Sequence, residues 1–470
     1  MNVAVLGGGV SGLAVAHRLW ELGREKGTAP EVALYEESGR FGGILETERR
    51  DGFLLESGPD SFLSEKTSVL SLAGRIGLES ELLETKSAFR RSFVLRAGAL
   101  IPLPAGFQLI APSRVIPFLA SPLFSPAGKL RMLSERWIPP RREPQDESVA
   151  SFIRRRFGRE ALERAGQPLV AGIYTGDPEE LSAEAALGRF RRLEREEGGV
   201  LRGLARRPAE GAGPRYGLFL SFREGMQTLT DRLASRLPEG WLRPRCGARR
   251  VSFDGSRRRW RIEFSDGTVR EADALVSTLP APRAARLLAE SAPSLARRLS
   301  EIPHESVASL HLAWPSASVR HRLDAFGFVV PRTERSPLTA CSFPARKFEG
   351  RAPSEGALFR AFVGGAFGHE AYGMDDRDLI RAVSAELGRV LGIAGEPLFA
   401  TLRRHPQSMV QYRVGHAGFV AAIDEELRMF PGLLLAGGWR RGVGIPDCVT
   451  EAEALAETLY SQQVTKGQIR

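Results

Sequence analysis

The opening of the chain is the feature that most constrains its fold. The short apolar run 2-NVAVL-6 is followed by glycines at Gly7, Gly9 and Gly12, and then by the apolar-periodic segment 13-LAVAHRLWELG-23. In this G-x-G-x-x-G arrangement the first glycine allows a tight turn, the second leaves room for a pyrophosphate, and the third lets helix and strand pack closely. The helix N-terminus then points its N–H groups at the phosphates. The pattern predicts a dinucleotide-binding unit, with contacts from Gly7, Gly8, Gly9, Val10, Ser11 and Gly12.

A second predicted strand supports this interpretation and extends it. The run 31-EVALYEE-37 contains Glu36 near its end, where a carboxylate can bind a ribose hydroxyl. Directly after it, 38-SGRFGG-43 forms another glycine turn that includes an arginine, which suits a longer cofactor whose pyrophosphate needs additional support. The sequence therefore favours FAD over NAD. The expected contacts in this part are Glu36, Glu37, Arg40, Gly42, Gly43 and Ile44.

A third glycine turn lies near the other end of the chain. The segment 437-GGWRRGVGIPDC-448 follows the apolar run 432-GLLLA-436 and precedes a predicted helix. Its glycines allow the backbone to approach a large ligand closely. We expect the helix to begin at Asp447 or at Thr450, the latter with Glu453 in a capping box.

Composition and spacing argue against several classes of protein. Cys246, Cys341 and Cys448 have no CxxC or metal-like spacing, which predicts a reducing, cytoplasmic environment and argues against a disulfide reductase. The seven histidines show no ligand spacing, so we predict no metal site. The net charge of +10 comes mostly from arginines spread along the chain. Because they form no basic stripe with interleaved aromatics, we predict no nucleic-acid partner.

The sequence predicts neither a secretion signal nor a membrane-spanning helix. The chain passes directly into a strand and a glycine turn, without a basic n-region. The longest apolar stretch is 98–124, but its five prolines and Arg114 interrupt any continuous helix. This stretch could cover a substrate channel, rest on a bilayer surface, or form a packed irregular segment.

Several motifs together resemble a known family. The turns 7-GGGVSG-12 and 38-SGRFGG-43 resemble the paired motif of the amine oxidase and phytoene desaturase flavoprotein superfamily. Within it, four segments look like the oxygen-dependent protoporphyrinogen/coproporphyrinogen oxidases of haem synthesis: 58-GPDSFLSEKTS-68, 122-PLFSPAGKLRML-133, 170-VAGIYTGDPEELS-182 and 442-GVGIPDC-448. The first of them looks most like the coproporphyrinogen III oxidase subgroup of Gram-positive-type bacteria.

The resemblance implies an enzyme with one non-covalent FAD per chain. It would oxidise a porphyrinogen by six electrons to a porphyrin, with coproporphyrinogen III favoured, and oxygen would be converted to hydrogen peroxide. We predict no catalytic side chain that acts as a general base, because the flavin itself would accept the electrons. A ferrochelatase would receive the product, and peripheral membrane contact fits the resemblance. Protoporphyrinogen IX oxidation, an amine oxidase-like activity and a non-catalytic porphyrin-binding flavoprotein stay open as alternatives.

The resemblance also implies further site residues. The segment 437–447 would return to the first domain and lie along the flavin. The additional cofactor contacts would be Gly58, Pro59, Asp60, Ser61, Val251, His405, Gly438, Val443, Gly444 and Ile445. His405 stands where the subgroup usually has a tryptophan. Lys66 would meet a substrate propionate, and Arg90 and Arg91 resemble basic residues of protoporphyrinogen-type enzymes. The substrate contacts would be Lys66, Arg91, Gly172, Ile173 and Tyr174, the last three in a loop over the macrocycle.

The expected architecture is an α/β (α+β mixed) fold built from discontinuous chain segments. Runs such as 307-VASLHLAW-314 and 357-ALFRAFVGG-365 alternate as half-buried strands do. The expected divisions are 1–87, 218–290 and 404–470 for a Rossmann-like FAD-binding domain, 88–106 and 291–403 for a sheet-based substrate domain, and 107–217 for a helical cap.

Overall fold

The computed structural model describes residues 1–28, 30–141, 145–206 and 217–468. The segment 204-LARRPAEGAGPRYG-217, whose prolines, glycines and arginines predict a flexible surface insertion, lies mostly outside these residues. The strands are β1 (Asn2–Leu6), β2 (Glu31–Tyr35), β3 (Thr47–Arg50), β4 (Phe53–Glu56), β5 (Phe62–Leu63), β6 (Leu82–Glu84), β7 (Phe93–Arg96), β8 (Ala99–Pro102), β9 (Phe107–Gln108), β10 (Ala111–Pro112), β11 (Phe219–Phe222), β12 (Leu242–Arg243), β13 (Ala248–Asp254), β14 (Arg259–Phe264), β15 (Val269–Ala272), β16 (Ala274–Ser277), β17 (His304–Pro315), β18 (Gly327–Val329), β19 (Ala340–Ser342), β20 (Gly356–Gly364), β21 (Phe399–Val410) and β22 (Leu433–Leu435).

The α-helices lie among these strands and include a run of helices between residues 115 and 206. They are α1 (Val10–Lys26), α2 (Ser68–Ile76), α3 (Val115–Ala120), α4 (Pro126–Leu133), α5 (Val149–Phe157), α6 (Arg159–Ala161), α7 (Gln167–Tyr174), α8 (Ala183–Glu197), α9 (Val200–Arg206), α10 (Gln227–Arg236), α11 (Ala281–Leu288), α12 (Pro293–Ser300), α13 (Pro344–Lys347), α14 (His369–Gly373), α15 (Asp376–Leu391), α16 (His416–Leu427) and α17 (Ile445–Gln468).

A five-stranded parallel sheet, in the order β12-β2-β1-β16-β22, forms the first domain. Its strands are short and apolar because helices cover both faces, as is usual for parallel sheets. On one face, α1, α2, α10 and α17 share a core. On the other, β13, β14, α11, α12 and α16 share a second core. The sheet thus joins strands from the beginning, the middle and the end of the chain.

The structure differs from the sequence predictions at two domain boundaries and at the start of one helix. α12 packs in the second core through Leu295 and Leu299, so this domain extends past residue 290. β21 pairs with β17 up to Val410, beyond the predicted boundary at 403. The run 222-FREGMQTLTDRLASRL-237 predicts a helix, but α10 begins only at Gln227, because Phe222 ends β11, which lies between β5 and β6.

A seven-stranded sheet, in the order β21-β17-β20-β19-β18-β7-β8, forms the second domain and is covered by α15. Its long central strand, β17, pairs with β20 on one side and with β21 on the other. In this register Val307 lies between Gly364 and His405. The row of three residues runs across the end of the sheet that faces the first domain.

The cap contains α3 to α9 and has its own apolar core. A buried ion pair between Arg156 and Glu135 stabilises it, and both Glu135 oxygens accept backbone N–H groups at the start of α9. The helical run 159–174 includes a π-helical turn, Leu162–Gly166, before α7. Within the described parts of the chain, no helix is both long and apolar enough to cross a bilayer.

Candidate active site

The two N-terminal glycine turns lie against each other. The Gly42 N–H donates to the Gly8 carbonyl at 2.8 Å, and Gly9 and Gly42 form an isolated bridge. Gly42 has a φ of 120°, a conformation that favours glycine. A Cβ added at Gly9 would have the Gly43 Cα as its nearest neighbour, 4.0 Å away, so the space in front of Gly9 is open. The two turns therefore form one cradle with room for a phosphate before α1.

Glu36, directly after β2, lies at the side of this cradle. Its Oε2 accepts the Gly8 N–H at 2.7 Å, and its Oε1 accepts the Ser38 N–H at 2.8 Å. The Arg40 guanidinium donates to the Gly43 carbonyl at 2.5 Å. Glu36 is thus held at the mouth of the site, while Arg40 shapes the second turn from within.

A cavity of about 370 Å³ opens beside Glu36. It lies at the carboxyl ends of β1 and β2, where ligands bind in doubly wound sheets. Its walls are Leu6, Gly7, Tyr35, Glu36, Glu37, Cys246, Gly247, Ala248, Arg249, Leu279, Arg283, Arg286 and Leu287. Apolar walls beside two carboxylates and the open phosphate cradle fit the adenosine half of a dinucleotide. The residues present therefore fit the predicted cofactor.

Val251 has its side chain fully buried in the second core, with Trp260 and Ile262, and does not line this cavity. The strand that contains it, β13, passes the cavity with its first residues, Ala248 and Arg249. The predicted contact of Val251 with the adenine is made by its backbone, so it stays a prediction.

The segment 57–61 joins the cradle to the seven-stranded sheet. A Cβ at Gly58 would overlap the Ile44 carbonyl, so the chain can pass this point only as glycine. Arg360, buried on β20, donates to the Gly58 carbonyl at 2.5 Å. His405 Nε2 donates to the Ser57 carbonyl at 3.1 Å, because a carbonyl can only accept. Burial lowers the pKa of His405, so the ring is neutral at neutral pH. Contact of this ring with a flavin stays a prediction.

Asp60 is held by a cation from the second domain. Lys347 Nζ lies 2.8 Å from its Oδ1, and the Ser61 hydroxyl donates to the same oxygen at 2.8 Å. Burial alone would raise the pKa of Asp60, but the charges of Lys347 and Arg360 outweigh it and hold this pKa below its usual range. Asp60 is therefore an ionised residue of the domain interface.

The C-terminal glycine turn meets the N-terminal motif. The Tyr412 hydroxyl donates to the Gly438 carbonyl, and Glu451 accepts the Gly437 N–H at 3.1 Å. Glu451 also accepts from Arg440 Nε at 2.6 Å. In the first turns of α17, Val449 and Ala452 pack in the same core as Leu13 and Ala16 of α1. Both ends of the chain therefore contribute to one site.

α17 begins at Ile445, which corrects the predicted starts at Asp447 and Thr450. Thr450 does not cap the helix, since its hydroxyl donates backward to the Pro446 carbonyl at 2.8 Å. Glu453 pairs with Arg75 on α2 instead of completing a capping box. The earlier start is compatible with Pro446, because proline is tolerated in the first helical turn. The first turn of α17 therefore follows Val443 and Gly444 directly, and the Cys448 N–H donates to the Gly444 carbonyl at 3.0 Å.

Lys66 and Arg91, the predicted substrate-binding cations, are both paired with acids. Lys66 Nζ lies 2.6 Å from each carboxylate oxygen of Asp447, in the first turn of α17. Arg91 lies 3.3 Å from Asp324 in the second domain. Both side chains are half exposed. Lys66 is thus paired with the start of α17, directly after the C-terminal glycine turn, whereas Arg91 is held by a different part of the molecule.

Gly172, Ile173 and Tyr174 form the end of α7, which corrects the predicted loop. The Tyr174 carbonyl already accepts from the Gln411 side chain at 3.0 Å and from the Thr175 hydroxyl at 2.7 Å. The Tyr174 ring lies 6.5 Å from that of Tyr412. The end of α7 therefore lies beside the C-terminal turn, and the Tyr174 carbonyl is not free.

Several residues of the site were not predicted. They hold the others in place and are Lys347, Arg360, Tyr412, Asp447 and Glu451. Each is separated from its partner by loops or by hundreds of residues, so local spacing gave no signal. An arginine at a buried position of an alternating strand, as at Arg360, was the one available hint. Among the described residues, no cluster of side chains could hold a metal ion.

Comparison with known proteins agrees with this geometry. Residues 10–459 match the family of flavin-containing amine oxidoreductases. The chain is 33% identical to coproporphyrinogen III oxidase of Bacillus subtilis, with 96% of each chain covered. It is 30% identical to the chloroplastic protoporphyrinogen oxidase 1 of Arabidopsis thaliana, over 96% of this chain and 86% of the relative.

A solved structure has the same fold over almost the whole chain. It is a protein of Exiguobacterium sp. 255-15 provisionally named a protoporphyrinogen oxidase, with a TM-score of 0.86 and 28% identity, covering 98% of this chain and 99% of the other. The cradle, the returning C-terminal turn and these similarities lead to one conclusion: the chain belongs to the flavin-containing amine oxidoreductase family.

Proposed function

We propose that this protein is an FAD-dependent porphyrinogen oxidase whose preferred substrate is coproporphyrinogen III. The observation that carries the proposal is the full-length similarity to coproporphyrinogen III oxidases, 33% identical in Bacillus subtilis and 32% in Propionibacterium freudenreichii. Protoporphyrinogen IX is the second candidate substrate, because the plant relative named for it is 30% identical. The fit of the cavity to an adenosine group supports FAD as the particular flavin.

The residues of the chain provide binding and orientation. The cradle at Gly9 and Gly43 would hold the pyrophosphate, and Glu36 would bind a ribose hydroxyl. The N-terminus of α17, near Val443 and Gly444, would favour negative charge on the bound ring. When bound, a flavin supplies two-electron oxidation, and oxygen is the proposed final acceptor.

The end of α7 is suited to hold the substrate beside this turn. Helix ends leave their last carbonyls without intrahelical donors. The carbonyls of Gly172 and Ile173 are therefore the proposed acceptors for pyrrole N–H groups, since the Tyr174 carbonyl is occupied. Ile173 is half exposed and offers an apolar contact to a macrocycle.

The proposed attachment of FAD is non-covalent. Cys448 is the cysteine nearest the turn, but it is buried, and burial raises the pKa of its thiol to about 11. A protonated thiol is a poor nucleophile. Acid precipitation of the purified protein should release the yellow cofactor into the supernatant. Flavin that stays with the pellet would show a covalent bond.

The cap carries several exposed apolar side chains that support peripheral membrane contact. They are Val115, Ile116, Leu119, Leu130 and Trp137, with Ile116 82% and Trp137 77% exposed. Arg114, Lys129 and Arg136 are close to them in the chain, a combination that suits an anionic bilayer surface. Flotation with anionic and neutral vesicles tests this contact, and equal recovery with both would remove the electrostatic part. A ferrochelatase is the proposed recipient of the product.

Turnover in air is the direct test of function. Coproporphyrinogen III and protoporphyrinogen IX should be compared by the appearance of porphyrin fluorescence, with hydrogen peroxide measured in parallel. We expect the faster rate with coproporphyrinogen III. Equal or reversed rates would overturn the substrate preference, and binding without oxidation would indicate a porphyrin-binding flavoprotein.

A further inference from the structure

A second, smaller cavity lies between the end of α7 and the connection from β18 to β19. Its volume is about 80 Å³, enough for a small polar group. The α7 side contributes Gln167, Ala171 and Thr175. The remaining walls are Val330, Pro331, Arg332, Arg335, Ser336, Pro337, Leu338, Thr339, Gly364, Phe367 and Gly368.

The backbone around this cavity is strained at two residues. Thr175 has a φ of 54° and Arg335 a φ of 50°. A β-branched residue is rare in this left-handed region, and such strain concentrates at functional sites. At Thr175 the strain is held in place because its carbonyl accepts the Ala366 N–H at 2.8 Å. The end of α7 is thereby joined to the turn that follows β20.

Two arginines at the cavity have no acidic partner. Within the described residues, neither Arg332 nor Arg335 has a carboxylate within 4.0 Å, whereas Arg91 and Lys66 are both paired. Glu334 lies between the two arginines in the chain, but its carboxylate accepts the Ala97 N–H at 3.0 Å.

The Arg332 side chain and backbone are both positioned. Its guanidinium lies over the Phe367 ring, with its carbon 4.5 Å from the ring centroid. Its N–H donates to Gln167 Oε1 at 3.0 Å. The stacked guanidinium keeps its in-plane N–H donors available, and this geometry suits a carboxylate.

The cavity is two strands away from His405 in the seven-stranded sheet. Gly364, which lines the cavity, pairs with Val307, and Val307 pairs with His405. Neighbouring strands are about 4.8 Å apart, so Gly364 and His405 are separated by about 10 Å. His405 contacts Ser57, which belongs to the segment 57–61 beside the glycine cradle. One flat ligand could therefore reach both this segment and the cavity.

We propose that Arg332 and Arg335 form a carboxylate-binding subsite that receives a propionate at the end of the substrate away from the flavin. This rests on the proposed function and adds a specificity element to it. The subsite would orient the macrocycle through its acid groups, while the end of α7 contacts its ring.

Equilibrium binding to the flavin-loaded enzyme tests the subsite without turnover. Wild type, Arg332→Gln, Arg335→Gln and the double variant are titrated with coproporphyrin III and with its tetramethyl ester, which lacks free carboxylates. We expect the double variant to lose about fivefold to a hundredfold in affinity for the free acid and little for the ester. Arg332→Lys should restore part of the loss.

Arg320→Gln is the matched control, because Arg320 is exposed and lies beyond the opposite end of β17. Flavin content and Tm show whether each variant is folded. Equal affinities of wild type and double variant for the free acid would overturn the subsite. If the wild type binds coproporphyrin III but does not oxidise the porphyrinogen, the proposed function fails while the subsite stands. A wild type that does neither overturns both.

Discussion

Lys347 and Asp60 form an ion pair of 2.8 Å, although 287 residues separate them in the chain. Both side chains are largely buried, with 14% and 17% exposed. Asp60 belongs to the segment 57–61, which joins the glycine cradle to the seven-stranded sheet, and Lys347 ends α13 in the second domain. The pair therefore connects the second domain to the segment beside the cradle.

Lys347→Met should destabilise the protein by about 3 kcal/mol, because it leaves a largely buried carboxylate without its cation. Lys86→Met is the matched control, since Lys86 pairs at 3.4 Å with an exposed Glu349 and should contribute about 1 kcal/mol or less. Urea unfolding of the flavin-loaded variants measures the difference. Equal effects of the two substitutions would show that the pair is screened by solvent.

The same pair predicts a dependence on acid. The pKa of Asp60 is held below its unfolded value of 3.8, so its contribution to stability is fully present above about pH 4. It is lost as the pH falls through the lower, folded pKa. The wild type and Lys347→Met should therefore converge in Tm in strong acid. A constant difference down to the acid transition would contradict this assignment.

Glu56 should show the opposite dependence on pH. It is 4% exposed, and burial raises its pKa from 4.5 to about 7, although Met226 and Thr47 donate hydrogen bonds to it. An acid with a raised folded pKa destabilises the protein as the pH rises through the interval between these two values. The cost at pH 8 is on the order of 3 kcal/mol. Glu56→Gln keeps the shape without the charge, so its Tm should gain on the wild type between pH 5 and pH 8. A constant difference in Tm would show that Glu56 does not titrate there.

Gly9→Val should fold and lose its flavin. The space in front of Gly9 is open, so a side chain there meets the cofactor instead of the protein. The ratio of flavin to protein absorbance should fall close to zero, with near-native circular dichroism. Gly12→Ala is the contrasting variant, since its Cβ would overlap the Gly7 carbonyl and disturb the fold itself. Full flavin content in Gly9→Val would show that the cradle does not bind the pyrophosphate.

Lys66→Ala tests whether Lys66 binds the substrate or only supports the C-terminal glycine turn through Asp447. If Lys66 meets a propionate, kcat/KM for coproporphyrinogen III should fall by about twofold to a hundredfold, and less for protoporphyrinogen IX. Raised salt should reduce this difference if the contact is near the surface.

Asp447→Asn is the informative control for Lys66. It breaks the ion pair but leaves the lysine free, so kcat/KM should be retained if Lys66 acts on the substrate. Equal losses in both variants would assign Lys66 to the turn. Arg91→Ala should have the smaller effect, because the partner of Arg91, Asp324, lies in the second domain and not in the C-terminal turn.

The sequence predicted the cradle well because its determinants are local. Gly9 and Glu36 follow β1 and β2 directly, and a parallel sheet brings such strand ends together. The strands around Val307 and Arg360 were also predicted from alternation. By contrast, the partners of Lys66 and Asp60 depend on how the domains are placed against each other. No periodicity contains that information, because each pair joins two segments that are far apart in the chain.

One error of position had the same origin. The start of α17 was placed late because Thr450 offers a plausible cap, whereas the helix begins where the chain leaves the glycine turn. Tertiary packing decided the outcome there.

The order of strands has a consequence for how the protein is made. β1 occupies the middle of its sheet, yet one of its neighbours, β16, contains residues 274–277, and the sheet is completed by β22 at residues 433–435. On the ribosome, β1 and α1 emerge first. The free edge of β1 is paired only after residues 274–277 have emerged, and the sheet is complete only after residue 435. Until then an apolar strand edge is unpaired, a condition that invites aggregation. We therefore expect the nascent chain to depend on chaperones, and the cofactor to enter only after the last helix has left the exit tunnel.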